Sequence, residues 1–295
     1  MDATSAAQSN GRGSQMNIGI DVSENNGPVD WAAVANAGYT FAYARATLGH
    51  ESNDPTFEAN REGARAHGLR FGGYHLPYPG NSSPEDQAQH FLAVAKPKAG
   101  DLLPAIDVEN KTPPDAGEGK FSRDALVGWL RAWLAAVEKK IGTKPLVYTN
   151  PGWWSSRLEN ADMTDHPLWL AHYTEGQPTI PHPWTSYAIW QHSESGTIGG
   201  HTFDFNRCSS LDAVTISAAS HSLIVQGARG PSVARLKHLL ATWTQTHPPA
   251  ANLVENDVFG QNTLVAVKRF QKAAHLSDDG KVGPKTWAAL EQAVK

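Results

Sequence analysis

The chain is almost without cysteine: Cys208 stands alone among 295 residues. One thiol excludes an internal disulfide and cannot build a thiolate cluster, so the fold needs no oxidising compartment. An excess of positive charge is also missing. With 25 Lys+Arg against 29 Asp+Glu the net charge is −4. No Lys/Arg cluster stands out, which removes the electrostatic footprint of a nucleic-acid binder. No apolar run approaches the ~18 residues that a membrane-spanning helix requires. Residues Met1 to Gln15 lack both a basic start and an apolar stretch of about 7–15 residues, so they do not read as a secretory signal. They are expected to form a disordered tail.

Apolar content of 40% and charged content of 18% are sufficient for a sizeable core. Ten tryptophans and seven tyrosines are a marked bias. Flat aromatic faces pack on the C–H faces of sugar rings, and Trp N–H and Tyr O–H add a polar handle. Any single Trp is equally well explained by core packing.

The stretch Leu102 to Glu109 organises the rest. It reads as a buried strand that ends in two carboxylates one residue apart. Strand side chains alternate, so Asp107 and Glu109 share a face, with Cα atoms about 6.6–7 Å apart. Two acids at the end of an apolar strand are costly unless they cap, pair or catalyse. Seven further strands are expected: Asn17–Val22, Tyr39–Arg45, Phe71–Leu76, Leu146–Thr149, Leu168–Ala171, Tyr187–Trp190 and Thr202–Phe205. Helices start at Asp30, at Asp54-Pro55, at Ser83-Pro84 and at Ser122, each a capping residue ahead of an apolar stripe. Strands alternating with helices imply a parallel α/β fold, and a modified (β/α)8-type barrel is the simplest closure. After residue 150 the helical signals fade, so the later crossovers are expected as loops. In such barrels the chemistry sits where strands end. Asp21, Asp107 with Glu109, and Asp204 all fall at or near expected strand ends.

An Ala/Ser/Thr-rich stretch then reads as a linker, and Leu223 to Lys295 as a small three-helix bundle. There Phe259-Gly260-Gln261-Asn262-Thr263 is echoed by Val282-Gly283-Pro284-Lys285-Thr286. The expected division is a tail at 1–15, a catalytic barrel at 16–211, a linker at 212–221 and the bundle at 222–295.

Eight motifs occur in an order that resembles the family 25 glycoside hydrolases, the Chalaropsis-type lysozymes. They are Gly19-Ile20-Asp21-Val22-Ser23, Val29-Asp30-Trp31, Gly73-Tyr74-His75, Ile106-Asp107-Val108-Glu109, Val147-Tyr148-Thr149, Leu168 to Tyr173, Ile189-Trp190-Gln191 and Phe203-Asp204-Phe205-Asn206. The bundle is similar to a peptidoglycan-binding domain through Gly230–Leu239, Phe259–Phe270 and Asp279–Gly283. Arg45 departs from the Lys often found in the family. The resemblance implies an endo-acting N-acetylmuramidase that cuts the β-1,4 bond between MurNAc and GlcNAc of peptidoglycan.

On this reading Glu109 is the general acid, its carboxyl kept protonated by like charge and desolvation. Two acids on one face of one strand suit substrate assistance better than flanking acids, and predict retention. Asp107 is the expected partner of the substrate amide, a role Asp204 could also take. Asp21 and Asp204 shape the electrostatics. Tyr74, His75, Tyr148, Trp169, Tyr173, Trp190 and Gln191 are candidates for lining the sugar cleft, with His75 hydrogen-bonding an active-site carboxylate. No cofactor, metal, nucleic acid or membrane insertion is called for, and a monomer is expected. Without a signal, the wall would be reached by holin-type release, by a secretion system or after lysis. Three rivals are a wall-binding protein with a dead barrel, a chitinase-like barrel, for which Asp101 to Glu109 lacks the denser acidic spacing, and a metal-dependent peptidase using His166, His172, His182, His192 and His201. Those spacings match no metal signature such as H-E-x-x-H.

Overall fold

The computed structural model describes residues 16–109, 121–216, 223–249, 253 and 256–294. The expected tail, the loop from 111 to 120 and residues 217–221 of the expected linker lie outside these. The chain divides into two compact units, the first ending at Thr215 and the second running on from Ile216.

The first unit is a closed barrel. Its strands are β1 (Asn17–Val22), β2 (Phe41–Leu48), the two-residue β3 (Ser52–Asn53), β4 (Arg70–Leu76), β5 (Ala105–Asp107), β6 (Leu146–Thr149), β7 (Leu168–Ala171), β8 (Ile189–Ile198) and β9 (His201–Cys208). The order β1-β9-β8-β7-β6-β5-β4-β2 is closed by pairing of β1 with β2, and β3 hangs on β2. Among the described residues five helices serve the crossovers: α1 (Trp31–Asn36), α2 (Phe57–Ala66), α3 (Pro84–Ala95), α4 (Arg123–Ile141) and α5 (Pro151–Arg157). Between β7 and β8 there is no helix, in line with the fading signals after residue 150.

Helix starts follow the capping chemistry. Asp30 accepts from the Ala33 amide at 2.9 Å and Ser83 from the Asp86 amide at 3.1 Å. At α2 the expected cap is displaced. Asp54 is tied to Thr56, accepting from its amide at 2.9 Å and its hydroxyl at 2.6 Å, and the helix begins at Phe57. The apolar stripe of α4 (Leu126, Trp129, Leu130, Trp133, Leu134 and Val137) is buried throughout.

Two differences from the sequence expectation matter. Strand β5 is only three residues long, because Pro104 has no N–H to give to the sheet; Leu102 makes an isolated bridge to Thr215 instead. Residues 212–215, expected as linker, belong to the barrel unit: Leu103 donates to the Val214 carbonyl at 2.7 Å and Arg70 pairs with Asp212 at 2.8 Å.

The larger difference is strand direction. Seven strands of the closed barrel run parallel, whereas β9 is antiparallel to both β8 and β1. A two-residue loop of Gly199 and Gly200, with φ of 58° and 84°, turns β8 into β9. Positive φ at both positions is what a type I′ hairpin requires. Asp204 therefore does not end a parallel strand. It lies within β9, directly opposite Asp21 in the register with β1.

The second unit contains α6 (Pro231–Thr246), α7 (Gln261–Ala273) and α8 (Pro284–Ala293) around Leu236, Leu240, Trp243, Phe259, Val267, Phe270, Trp287 and Leu290. The internal echo is visible as geometry. Gly260 and Gly283 cap α7 and α8, and the matching Thr263 and Thr286 are both buried. Gln271 knits the turn between these helices, accepting from the Gly280 amide at 2.9 Å and donating to the Lys281 carbonyl at 2.8 Å. Among the described residues no helix is long and apolar enough to cross a membrane.

Candidate active site

Inward positions of the barrel strands converge on one cavity of about 490 Å³ at the carboxyl ends of the parallel strands. Its walls include Asp21 from β1, Arg45 from β2, Tyr74 from β4, Asp107 and Glu109 from β5 and its extension, Tyr148 from β6, Trp169 from β7 and Asp204 from β9. All four expected carboxylates thus line a single space. Alternation along the strand accounts for Asp107 and Glu109 sharing it.

Trp169 is the aromatic centre. It sits edge-to-face with Tyr148 (5.1 Å between ring centroids) and with Tyr74 (6.3 Å), and against Tyr43 behind (4.5 Å). The phenols of Tyr74 and Tyr148 are pushed well above their usual range, first by burial and then by neighbouring carboxylates. Asp21 and Asp107 act on Tyr74, and Glu109, Asp107 and Asp21 act on Tyr148. Both remain neutral hydroxyl donors in a field of negative charge.

Two amides hold the acids in place. Gln191, 1% exposed, donates through Nε2 to Asp21 Oδ2 at 2.8 Å and to Asp204 Oδ2 at 3.3 Å. Its Oε1 accepts from the hydroxyls of Tyr148 at 2.9 Å and Tyr173 at 2.8 Å. Asn206 donates to Asp21 Oδ2 at 2.7 Å while its Oδ1 accepts from Trp169 Nε1 at 2.8 Å. Carboxylate oxygens accept, so an amide nitrogen between two of them supplies a donor to each and fixes their orientation. On the opposite wall Arg45 is anchored by Asp54 at 3.0 Å and Glu24 at 2.8 Å.

Two expected lining residues lie elsewhere. His75 faces out of the barrel, because alternation puts it opposite Tyr74. Its ring nitrogens bond Thr47 Oγ1 at 2.8 Å and Gln87 Oε1 at 3.1 Å, and its ring stacks on Trp133. It holds no active-site carboxylate, and burial lowers its pKa to about 3. Trp190 likewise turns away from the cavity, its indole N–H donating to the His172 carbonyl at 2.8 Å. Tyr173, 45% exposed, stands at the rim. Gln191 is placed to position acids rather than to line the cleft. Asn206 and Arg45 were absent from the sequence candidates; Asn206, two residues beyond Asp204, follows from the same alternation. Of the clustered histidines, His166 binds the Pro145 carbonyl and His172 accepts from the Thr179 amide.

The sequence matches the model of glycosyl hydrolases family 25 over residues 20–201, most of the barrel unit. The chain belongs to this family. Residues 229–290 of the family 25 hydrolase match a second model, that of a peptidoglycan binding domain. An N,O-diacetylmuramidase of Chalaropsis sp is 35% identical over 62% of the chain and 90% of its own length. Lysozyme M1 of Streptomyces globisporus is 31% identical over 64% of the chain and 66% of its length. Among solved structures, a bacterial lysozyme from Streptomyces coelicolor superposes with a TM-score of 0.63 at 28% identity. That match covers 69% of the chain and 96% of the lysozyme. A family 25 lysozyme from Aspergillus fumigatus gives 0.61 at 30%, covering 65% and 93%.

Proposed function

We propose that this family 25 hydrolase is an endo-acting muramidase that cuts the β-1,4 bond from MurNAc to GlcNAc in peptidoglycan, with retention. The observation that carries the reading is the meeting of Asp21, Asp107, Glu109 and Asp204 in one aromatic-walled cavity. Glu109 protonates the glycosidic oxygen as the C1–O bond breaks. The acetamido oxygen of the same sugar attacks C1 from the opposite face, giving a cyclic oxazolinium, and Asp107 accepts the amide N–H. Water then adds to C1, its proton passes to the Glu109 carboxylate, and the ring reopens. Asp21 and Asp204 already accept from Gln191 and Asn206, which suits a fixed electrostatic role.

The barrel, from 16 to 215, is the catalytic part, and the bundle at 222–295 holds the enzyme on the polymer. Every group named comes from one chain, so a monomer suffices. The site of action is the cell wall. Glu109→Gln should lower the rate of turbidity loss of purified walls by about 10²–10⁴-fold, with an unchanged melting curve. Mass spectrometry of the products should find the new reducing end on MurNAc. Lysis at the wild-type rate by a folded Glu109→Gln enzyme would overturn the acid assignment.

A further inference from the structure

A second cavity opens beside the first in the same unit. It encloses about 420 Å³ and is lined by Tyr173, Thr174, Glu175, His192 and Arg207. Its residues come from the loop after β7, from β8 and from the outward face of β9. Arg207 is laid over the buried Trp190, guanidinium carbon 5.5 Å from the ring centroid, and Trp190 is itself pinned by its bond to His172. The cation is thus pre-oriented on an aromatic plate, and no ion pair involves it or the exposed Glu175 among the described residues. No lining residue is common to the two cavities, but one side chain links them. Tyr173 lines the second, and its hydroxyl binds the Gln191 that holds Asp21 and Asp204 in the first.

The glycan of intact peptidoglycan is neutral, the lactyl carboxyl of MurNAc being tied up in its amide to the stem, and a pocket for such sugars is served by hydroxyls, amides and aromatic faces. A guanidinium and a carboxylate that line the same small open pocket suit a ligand bearing both charges. Peptidoglycan offers one next to its cleaved bond: the short stem peptide on the lactyl group of MurNAc, with carboxylates and, in many walls, a free amine. We infer that this second cavity is a stem-peptide subsite, Arg207 taking a stem carboxylate through paired N–H donors and Glu175 facing a stem amine. The inference rests on the muramidase reading. It makes the enzyme one that prefers peptide-bearing glycan to naked glycan.

The test uses the full-length enzyme on two substrates: purified walls, and the same glycan stripped of stems by an amidase, its exposed lactyl carboxyls then capped as methylamides. The readout is reducing sugar released, expressed as the ratio of kcat/KM on the two. Loss of one charge-assisted contact is worth about tenfold, so Arg207→Gln should lower that ratio about tenfold, chiefly through KM on the peptide-bearing walls. Glu175→Gln, an exposed loop substitution that leaves β9 intact, should lower it severalfold on walls whose stem amine is free. An equal loss on both substrates, or a ratio unchanged in both variants, would overturn the subsite. Failure of the wild-type enzyme to release sugar from either substrate would instead overturn the muramidase reading.

Discussion

Gln191→Glu is the sharpest perturbation this site offers, because it exchanges a donor for an acceptor without changing shape. In the native cavity the Gln191 nitrogen sits 2.8 Å from Asp21 Oδ2 and 3.3 Å from Asp204 Oδ2. A carboxylate oxygen there would face two others at about 3 Å. At an effective dielectric near 20, each like-charged pair would cost about 5 kcal/mol. The cluster avoids that by retaining a proton, so a carboxyl in the folded variant has a raised pKa. A folded state that binds the extra proton is favoured at low pH and loses stability as pH rises, by about 1.4 kcal/mol per unit. Urea unfolding of wild type and variant at pH 5 and pH 8 measures this. The deficit of the variant should be about 2–4 kcal/mol larger at pH 8. Gln191→Leu serves as control. It strands the Tyr148 and Tyr173 hydroxyls and takes a donor from each carboxylate, a loss of about 2–4 kcal/mol that should vary much less with pH. Equal deficits for Gln191→Glu at both pH values would show that the amide nitrogen does not stand between the two acids.

Three other outcomes are expected. The buried His75, its pKa lowered from 6.5 to about 3, binds a proton in the unfolded chain but not in the folded one between those values. Stability should therefore fall on acidification from pH 6.5 towards 3 by about 1.4 kcal/mol per unit from this residue, and His75→Asn should flatten that slope in denaturant titrations. Asp54→Ala removes a fully buried carboxylate bound to Arg45, the Glu24 amide and Thr56, and should cost about 3–5 kcal/mol, read as a drop in melting temperature. Gly72→Ala should cost about 1–3 kcal/mol by calorimetry, since its Cβ would stand 2.5 Å from the Tyr43 ring inside the barrel.

The elements were legible where local chemistry announces them. Ser83-Pro84 and Asp30 marked helix starts, and the α4 stripe marked its buried face. Strand direction was not, because alternation reads the same forwards and backwards, and Asp204 was assigned to the end of a parallel strand. The one local signal was Gly199-Gly200, a two-residue turn between alternating runs, which points to a hairpin. The candidate list also set strand neighbours side by side, Tyr74 with His75 and Trp190 with Gln191. Period-two alternation forbids both members of such a pair from entering the same cavity. Applied strictly, it retains Tyr74 and Gln191, sends His75 and Trp190 outward and adds Asn206. The bond of Gln191 to Asp21, 170 residues away, carries no sequence signature at all.

The reversed last strand has an architectural consequence. Because β9 descends while its neighbours climb, Cys208 finishes beside Asn17, at the barrel floor where β1 begins. Polypeptide enters and leaves the cylinder on the side remote from the catalytic mouth, with no final helix needed to bring it back. Extensions at either terminus of this barrel segment thus start from its floor, away from the cavity that the four carboxylates line.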